Sequence, residues 1–331
     1  MVSIKDVALA AGVSTATVSR VLANNISIKP ETKQRVLDAV HTLNYRPNLI
    51  ARSLRVQKSN KIGLVVSDIR NPFFTAIGRA VEDAAYEQGY SLLICNTDED
   101  SKKEELYLNL LYDQNVAGII FSPTQKFNIS SPTLQSHIPF VIIDRAIENY
   151  PADMVLLDNV SAAADLANHL IDNGYRRIAG LFGDASLTGQ ERSRGFHKAL
   201  KDHQLKPVAA HFIAARIQKG YEATLELMKS PERPDAIYTS NSMLTAGALQ
   251  ALRELKCRIP TDVALVGFDE TLWGDLVDPP ITVIAQPNEE IGRTATELLF
   301  QKVENPQRSA KTVILKGELK VKGSSGTRMH K

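Results

Sequence analysis

A chain of 331 residues is long enough for two or three domains rather than one small core. Its apolar fraction of 44% and charged fraction of 23% are those of an ordinary globular protein, and no run of about 18 apolar residues predicts a membrane-spanning helix. The first residues lack the apolar stretch of a secretory signal, and Cys95 and Cys257 lie in apolar segments typical of buried free thiols, so we expect a cytoplasmic protein.

Positive charge is concentrated at the N-terminal end of the chain. Residues 1–60 hold nine Lys and Arg against three Asp and Glu, although the whole chain has a net charge of only +2. A basic segment joined to a mildly acidic remainder indicates a polyanionic partner bound at one end. Charge alone leaves a solvated basic face as the alternative.

Three short helices are predicted within the first 45 residues. Apolar residues share one helical face in residues 4–11, and Gly12 supplies the left-handed turn that ends this helix. Ser14 is a suitable N-cap for a second helix over Thr15–Leu22, and a third is predicted over about 30–43. The predicted inward residues of the second and third helices are Val18, Val21, Leu22, Val36, Leu37, Val40 and Leu43.

The outward side of the second helix carries small hydroxyl residues and one arginine. Two short helices joined by a tight turn are typical of a helix-turn-helix, whose second helix enters the major groove of DNA. Small side chains allow close seating, and hydroxyl and guanidinium groups bond phosphates or base edges. We therefore predict DNA contacts here, with a purely structural helix pair as the alternative, from Ser14, Thr15, Ala16, Thr17, Ser19 and Arg20.

Two segments near the N-terminus, IKDVALAAGVSTATVSRVL and NYRPNLIARSLRVQKSNKIGLVV, resemble the lactose/galactose repressor family. The resemblance runs over essentially the whole chain. The resemblance implies a helix-turn-helix domain over 1–46, a hinge over 47–60, and an effector-binding and dimerisation domain over 61–331. In that family PNLIARSL is a hinge helix that orders on operator DNA and inserts a leucine between base pairs. Carried over to this sequence, the hinge contacts are Asn48, Leu54 and Arg55, with a plain basic linker as the alternative.

From Lys61 onward, apolar strands alternate with amphipathic helices, which predicts an α/β body with parallel sheets buried on both faces. The predicted strands are 62–67, 91–96, 118–121, 140–143, 154–157, 177–182, 236–239, 263–268 and 282–284. The predicted helices are 74–88, 103–114, 162–173, 191–203, 220–229 and 243–255. Two doubly wound subdomains with a cleft between them are expected, 61–157 with 286–313 and 158–284 with 314–331. The C-terminal GELKVKGSSGTRMHK is predicted to end in a frayed polar tail.

The residue patterns typical of enzymes and cofactor sites are missing from the sequence. GLVVSDIRNPFF lacks the glycine spacing of a dinucleotide or phosphate loop, and the histidines are not spaced as metal ligands. A nucleophile, its base and an orienting residue cannot be recognised together. The sequence therefore predicts no cofactor, no metal and no enzyme activity. A sugar-modifying enzyme and a sugar transport receptor are the alternative functions.

Polar and aromatic side chains suited to a polyol follow the predicted strands, where ligands of open α/β sheets bind. The body also resembles the periplasmic ribose-type sugar-binding proteins. The pocket positions carried over from them are Asn71, Phe73, Phe74, Asp144, Arg145, Arg192, Asn241, Phe268, Asp269 and Gln286. At the end of HFIAAR, where such a binder has an aromatic residue, this chain has Ala215 beside Arg216, and Arg216 either faces solvent or serves a sugar acid. Trp273 is assigned equally to the cleft edge and to the core.

Together these features predict a transcriptional regulator, a repressor of a sugar catabolic operon. The family resemblance implies that two chains pair through their bodies, so that two headpieces bind a pseudo-palindromic operator. The effector is a neutral monosaccharide or a sugar acid that changes operator affinity. Whether it releases or recruits DNA, and whether the assembly is a dimer or a tetramer, the sequence leaves open.

Overall fold

The computed structural model describes residues 2–22, 28–45, 59–127, 138–147, 150–184 and 186–328. Contacts divide the chain into two units, Met1–Ser59 and Asn60–Lys331, which we call the headpiece and the body. Within the described part of the chain, every helix is too short or too polar to cross a lipid bilayer. Cys95 is buried and Cys257 is half-buried, and both are free thiols.

The headpiece contains three helices, α1 (Ile4–Ala11), α2 (Thr15–Leu22) and α3 (Pro30–Thr42), as the sequence predicted. Gly12 has the predicted positive φ of 62°, and the Ser14 hydroxyl oxygen accepts a hydrogen bond of 3.2 Å from the Thr17 amide, which caps α2. The core of the three helices is formed by Val7, Ala8, Ala11, Val18, Val21, Val36 and Ala39.

The predicted inward stripe of α3 is wrong at Leu37, whose side chain is 39% exposed. Ala39 is buried instead, three residues after Val36 on the same helical face. The small alanine allows α3 to lie close to α1, while Leu37 is on the flank of the helix. The remaining predicted residues of the stripe, Val40 and Leu43, pack against the core while partly exposed.

The N-terminal lobe of the body is built on a parallel sheet of six strands in the order β11-β5-β4-β3-β1-β2. Its strands are β1 (Lys61–Val66), β2 (Ser91–Asn96), β3 (Gly118–Phe121), β4 (Phe140–Ile143), β5 (Asp153–Leu157) and β11 (Thr312–Leu315). The helices that pack on this sheet are α4 (Pro72–Glu87), α5 (Ser101–Asp113) and α11 (Asn288–Glu304). Buried apolar residues from strands and helices together form its core.

The C-terminal lobe has a second six-stranded sheet, in the order β12-β10-β9-β8-β6-β7, with β12 antiparallel to β10. Its strands are β6 (Ile178–Gly183), β7 (Ala209–Ile213), β8 (Ala236–Thr239), β9 (Ala264–Phe268), β10 (Thr282–Ala285) and β12 (Glu318–Lys320). Its helices are α6 (Asn159–Asp172), α7 (Leu187–Asp202), α8 (Ile217–Lys229), α9 (Ser242–Glu254) and α10 (Leu272–Leu276). The strands β7, β11 and β12 and the helices α10 and α11 were not predicted, whereas every strand and helix predicted within the described residues is present. The predicted hinge helix lies outside the described residues.

The chain crosses between the lobes after β5, after β10 and after β11. The predicted subdomain boundary at 313–314 falls inside β11, so the third crossing lies a few residues later. Gly317 lies in this third crossing, and a larger residue does not fit there, because a Cβ atom would come within 2.6 Å of Ile284 Cγ2. The first and third crossings are adjacent, since the Asp158 amide donates to the Leu315 carbonyl (2.9 Å).

The prediction of a frayed C-terminal tail is wrong through Arg328. A short 3-10 helix, Gly323–Ser325, packs on the C-terminal lobe, with Ser324 and Ser325 fully buried. The Ser324 hydroxyl donates to the Leu265 carbonyl (2.6 Å) and accepts from the Thr282 amide (2.8 Å). Small polar side chains that suggested solvent exposure here satisfy the backbone of two strands instead.

Candidate functional site

A cavity of about 240 Å³ lies between the lobes, where the strands of both sheets end. Ten of the eleven residues predicted for a polyol site line it: Asn71, Phe73, Phe74, Asp144, Arg145, Arg192, Arg216, Asn241, Asp269 and Gln286. Phe268 does not line the cavity. It is fully buried behind Arg192, whose guanidinium carbon lies 4.1 Å from the centre of the Phe268 ring. Trp273 also lies outside the lining and packs against the core of its lobe.

The wall of the N-terminal lobe contains an arginine that is saturated by its own lobe. The Arg145 side chain is 6% exposed and bonds both carboxylate oxygens of Glu99, at 2.5 and 2.8 Å. Its Nε donates to Asp144 Oδ2 (3.1 Å), and further bonds reach the Pro123 carbonyl and Ser67 Oγ. Burial raises the pKa of Asp144, and the charge of Arg145 opposes that shift. A compact, buried ion cluster results.

Two aromatic rings complete this wall. Phe73 and Phe74 begin α4 and are 4% and 5% exposed, with ring centres 5.0 Å apart and planes at 70°. Asn71 caps the same helix, since its Oδ1 accepts from the Phe73 amide (3.1 Å). An apolar face beside polar groups is the combination that covers the C–H side of a sugar ring.

The wall of the C-terminal lobe contains an arginine that does not use all of its hydrogen-bond donors on described residues. Arg192, on α7, is 5% exposed; its Nε donates to Asn159 Oδ1 (2.8 Å) and its Nη1 to the Ser240 carbonyl (2.7 Å). Its Nη2 makes no hydrogen bond within the described residues. Since the cavity lining includes Arg192, this nitrogen is available to a ligand.

Three further polar residues on this wall are held by their neighbours. Asn241 Oδ1 caps α9 by accepting from the Leu244 amide (2.9 Å), which leaves the amide nitrogen of Asn241 for other partners. Asp269 accepts from Gln286 Nε2 (2.6 Å) and from the Ser242 amide (3.1 Å). Gln286 Oε1 has no hydrogen-bond partner in the described ranges, so the wall offers donors and acceptors together.

Arg216 faces the cavity rather than only solvent. It forms an ion pair with Asp68, which follows β1 in the opposite lobe, and its side chain is 34% exposed. Ser242 Oγ donates to Asn71 Oδ1 (3.4 Å), a second contact across the cleft. The two contacts hold the lobes together around the cavity.

The charges that line the cavity sum to a negative value. Three arginines face five carboxylates, and the carboxylates are Asp68, Glu99, Asp144, Asp184 and Asp269. The sequence analysis missed Asp68, Glu99 and Asp184 as lining residues, together with Ser67, Ser186, Thr188 and Met243. Their positions, in loops after strands or, for Thr188 and Met243, in the first turn of the following helix, are the one signal that could have found them.

The predicted DNA-contact residues of the headpiece lie on and before α2. Ser14, Thr15, Ala16 and Arg20 are exposed, while Thr17 and Ser19 are half-buried. The Ser14 and Thr17 hydroxyls are 3.0 Å apart and bond each other. Within the described residues Arg20 makes no ion pair. The predicted hinge contacts Asn48, Leu54 and Arg55 lie outside the described residues.

Two family models match the chain. Residues 3–48 match that of bacterial regulatory proteins of the lacI family, and residues 59–320 match that of periplasmic binding proteins and the sugar binding domain of the LacI family. The chain is 34% identical over 329 residues to the HTH-type transcriptional repressor PurR of Mannheimia succiniciproducens, with 98% of each chain covered.

Two solved structures show how far the likeness extends. The lac repressor dimer bound to operator and the anti-inducer ONPF has a TM-score of 0.88 and 25% identity, over 98% of this chain and 99% of that one. A LacI family transcriptional regulator from Enterococcus faecium with bound ribose has a TM-score of 0.74 and 27% identity, over 81% of this chain and 99% of that one.

Proposed function

Because this chain belongs to the LacI family of bacterial regulatory proteins, we propose that it represses a sugar catabolic operon under the control of a neutral sugar bound between its lobes. The chain is a DNA-binding transcriptional regulator with a sugar-binding domain of that family, so the sequence-based prediction that it is not an enzyme is confirmed.

The charge of the cavity is the observation that favours a neutral sugar over a sugar acid. Arg145 is saturated by Glu99 and Asp144, and Arg216 is paired with Asp68, so neither is free for an anionic ligand. An incoming carboxylate would also face the two unmatched negative charges of the lining. Hydroxyl groups both donate and accept, which suits Arg192 Nη2 and Gln286 Oε1, the donor and acceptor that have no partner among the described residues.

We assign the effector site to the eleven residues predicted for it, with Phe268 acting from behind Arg192. The domain limits 1–46, 47–60 and 61–331 are part of the same proposal. In the headpiece and hinge, the DNA contacts that we propose are Ser14, Thr15, Ala16, Thr17, Ser19, Arg20, Asn48, Leu54 and Arg55.

The regulator acts as a cytoplasmic homodimer on a pseudo-palindromic operator. The lac repressor, whose fold this chain shares, has been solved as a dimer bound to operator, and a dimer brings two headpieces to two half-sites. An effector that binds one arrangement of the lobes better than another shifts the equilibrium between arrangements, and the hinge carries that shift to the DNA.

Fluorescence anisotropy with labelled duplex DNA tests the proposal. The operator is first selected from a random duplex library with the full-length protein, and its affinity is then measured with ribose, other neutral monosaccharides and ribonate. We expect one neutral sugar to change operator affinity by about 5- to 150-fold, in either direction. Enrichment of no duplex, or an operator affinity that no sugar changes, would contradict the proposed function.

A further inference from the structure

We propose that Asn159, at the first crossing between the lobes, positions Arg192 for the effector and thereby links this crossing to the site. The inference rests on the proposed function above. Asn159 is 3% exposed and is the first residue of α6, just after β5 ends at Leu157. It is not among the residues that line the cavity, so it acts through Arg192 rather than on the ligand.

The side chain of Asn159 bonds two consecutive residues of α7 with opposite requirements. Its Oδ1 accepts from Arg192 Nε (2.8 Å), and its Nδ2 donates to Glu191 Oε2 (2.9 Å). A guanidinium needs an acceptor and a carboxylate needs a donor, and a primary amide supplies one of each. The two neighbours therefore fix the orientation of the amide, and the amide fixes where the guanidinium lies.

Three groups then determine the position of the Arg192 guanidinium. Asn159 holds Nε, the Ser240 carbonyl holds Nη1, and the Phe268 ring lies 4.1 Å from the guanidinium carbon. Nη2 is the one guanidinium nitrogen of Arg192 that makes no hydrogen bond among the described residues. Without Asn159, the buried Nε loses its acceptor, and the guanidinium must turn to find another.

The second crossing shows the same arrangement. Gln286 lies between β10 and α11, and its Nε2 donates to Asp269 Oδ1, a charged group of the cavity. Two of the three crossings thus carry an amide side chain bonded to a charged residue of the site. A rotation of one lobe against the other moves these crossing segments, and with them the charged residues Arg192 and Asp269 to which they are bonded. Conversely, a ligand bound to Arg192 favours one position of the first crossing.

Two readouts test the role of Asn159, one of which needs no effector. Arginine-selective ¹H–¹⁵N NMR of the full-length protein should show an Arg192 Nε–H signal that exchanges slowly and is shifted upfield by the Phe268 ring. Isothermal titration with ribose, and with the tightest sugar of the panel above, measures effector affinity. The variants are Asn159→Ala and the double variant Asn159→Asp/Glu191→Gln, and the matched control is Asn168→Ala on the same helix, whose Oδ1 has no hydrogen-bond partner among the described residues.

Asn159→Ala should abolish the slowly exchanging signal and weaken effector binding by about tenfold or more, as expected for a lost bond to a charged group. The double variant Asn159→Asp/Glu191→Gln keeps the acceptor for Arg192 and leaves an amide rather than a second carboxylate at position 191, so it should keep the signal and bind within about threefold of the parent. Asn168→Ala should resemble the parent.

A signal that survives in Asn159→Ala, or equal losses in both Asn159 variants, would overturn the positioning role. If the parent protein binds no sugar, the proposed function fails, while the NMR comparison still decides whether Asn159 holds Arg192.

Discussion

The two lobes of the body repeat one topology with different chemistry at the strand ends. In each sheet the first five strands have the same order, and a last strand pairs with the fifth. An aspartate with positive φ follows the fourth strand of each, Asp144 at 70° and Asp269 at 72°. Their amides donate to the fifth strands, at the carbonyls of Val155 (3.3 Å) and Ile284 (2.9 Å). The repeated backbone therefore places a carboxylate on each wall of the cavity.

The arginines beside these carboxylates differ. Arg145 uses all three of its guanidinium nitrogens in hydrogen bonds within its own lobe, whereas Arg192 Nη2 makes no hydrogen bond among the described residues. The difference teaches that the N-terminal wall is primarily a rigid frame, and the C-terminal wall primarily recognises the ligand. Three substitutions test this division and a fourth tests a buried carboxylate of the N-terminal lobe, in order of decreasing effect.

Arg145→Ala should destabilise the body by about 3–5 kcal/mol, because it leaves the buried carboxylate of Asp144 and the half-buried carboxylate of Glu99 without their ion pairs. Urea denaturation measures the loss. Adding Glu99→Gln should recover part of it. Arg79→Ala is the matched control, since its ion pairs are exposed and worth about 1 kcal/mol or less. A loss from Arg145→Ala no larger than that of the control would remove the frame role of this cluster.

Arg192→Ala should weaken sugar binding by about a hundredfold, while operator binding without sugar is retained. The reason is that the variant loses both a charge-assisted bond to the ligand and the guanidinium packed on Phe268. Calorimetry on the variant and on Arg194→Ala, an exposed neighbour on the same helix, checks the effect. Normal sugar affinity in Arg192→Ala would show that recognition lies elsewhere.

Asp68→Asn should shift the preference of the site from ribose toward ribonate by about tenfold, because it frees Arg216 and removes one negative charge. Asp98→Asn is the control, since Asp68 and Asp98 both form ion pairs with Arg70, but Asp98 does not line the cavity. Competition titrations with the two ligands give the ratio. An unchanged ratio would mean that Arg216 does not reach the ligand.

Glu104→Gln tests a buried carboxylate of the N-terminal lobe away from the site. Glu104 is 2% exposed and accepts from the Thr124 amide (2.6 Å), and burial raises its pKa despite that bond. A raised pKa in the folded state means that this group stabilises the protein most at low pH and that the contribution is lost as pH rises through the folded pKa. The stability of the parent relative to Glu104→Gln should therefore fall from about pH 4 upward.

Urea unfolding of both proteins across this range is the measurement for Glu104. A difference in unfolding free energy that does not change with pH would contradict the assignment.

Local patterns carried most of the sequence-based prediction. Buried strands such as β3 and β4 are short apolar runs, and the segments after such strands, together with the resemblance to ribose-type sugar-binding proteins, located ten of the lining residues. What the sequence could not supply were pairings over long separations. Asp68 and Arg216 are 148 positions apart, and no local spacing joins them. The packing of the C-terminal tail could not be predicted for the same reason, because Ser324 bonds Thr282 and Leu265, which lie 42 and 59 positions away in the sequence.

The central claim is that sugar binding and operator binding share one conformational equilibrium, and reciprocal titration tests it most directly. The Kd for the sugar is measured by calorimetry with and without saturating operator DNA. The account predicts that the operator changes this Kd by the same factor by which the sugar changes the operator Kd, about 5- to 150-fold. A sugar Kd that is identical with and without operator would contradict it.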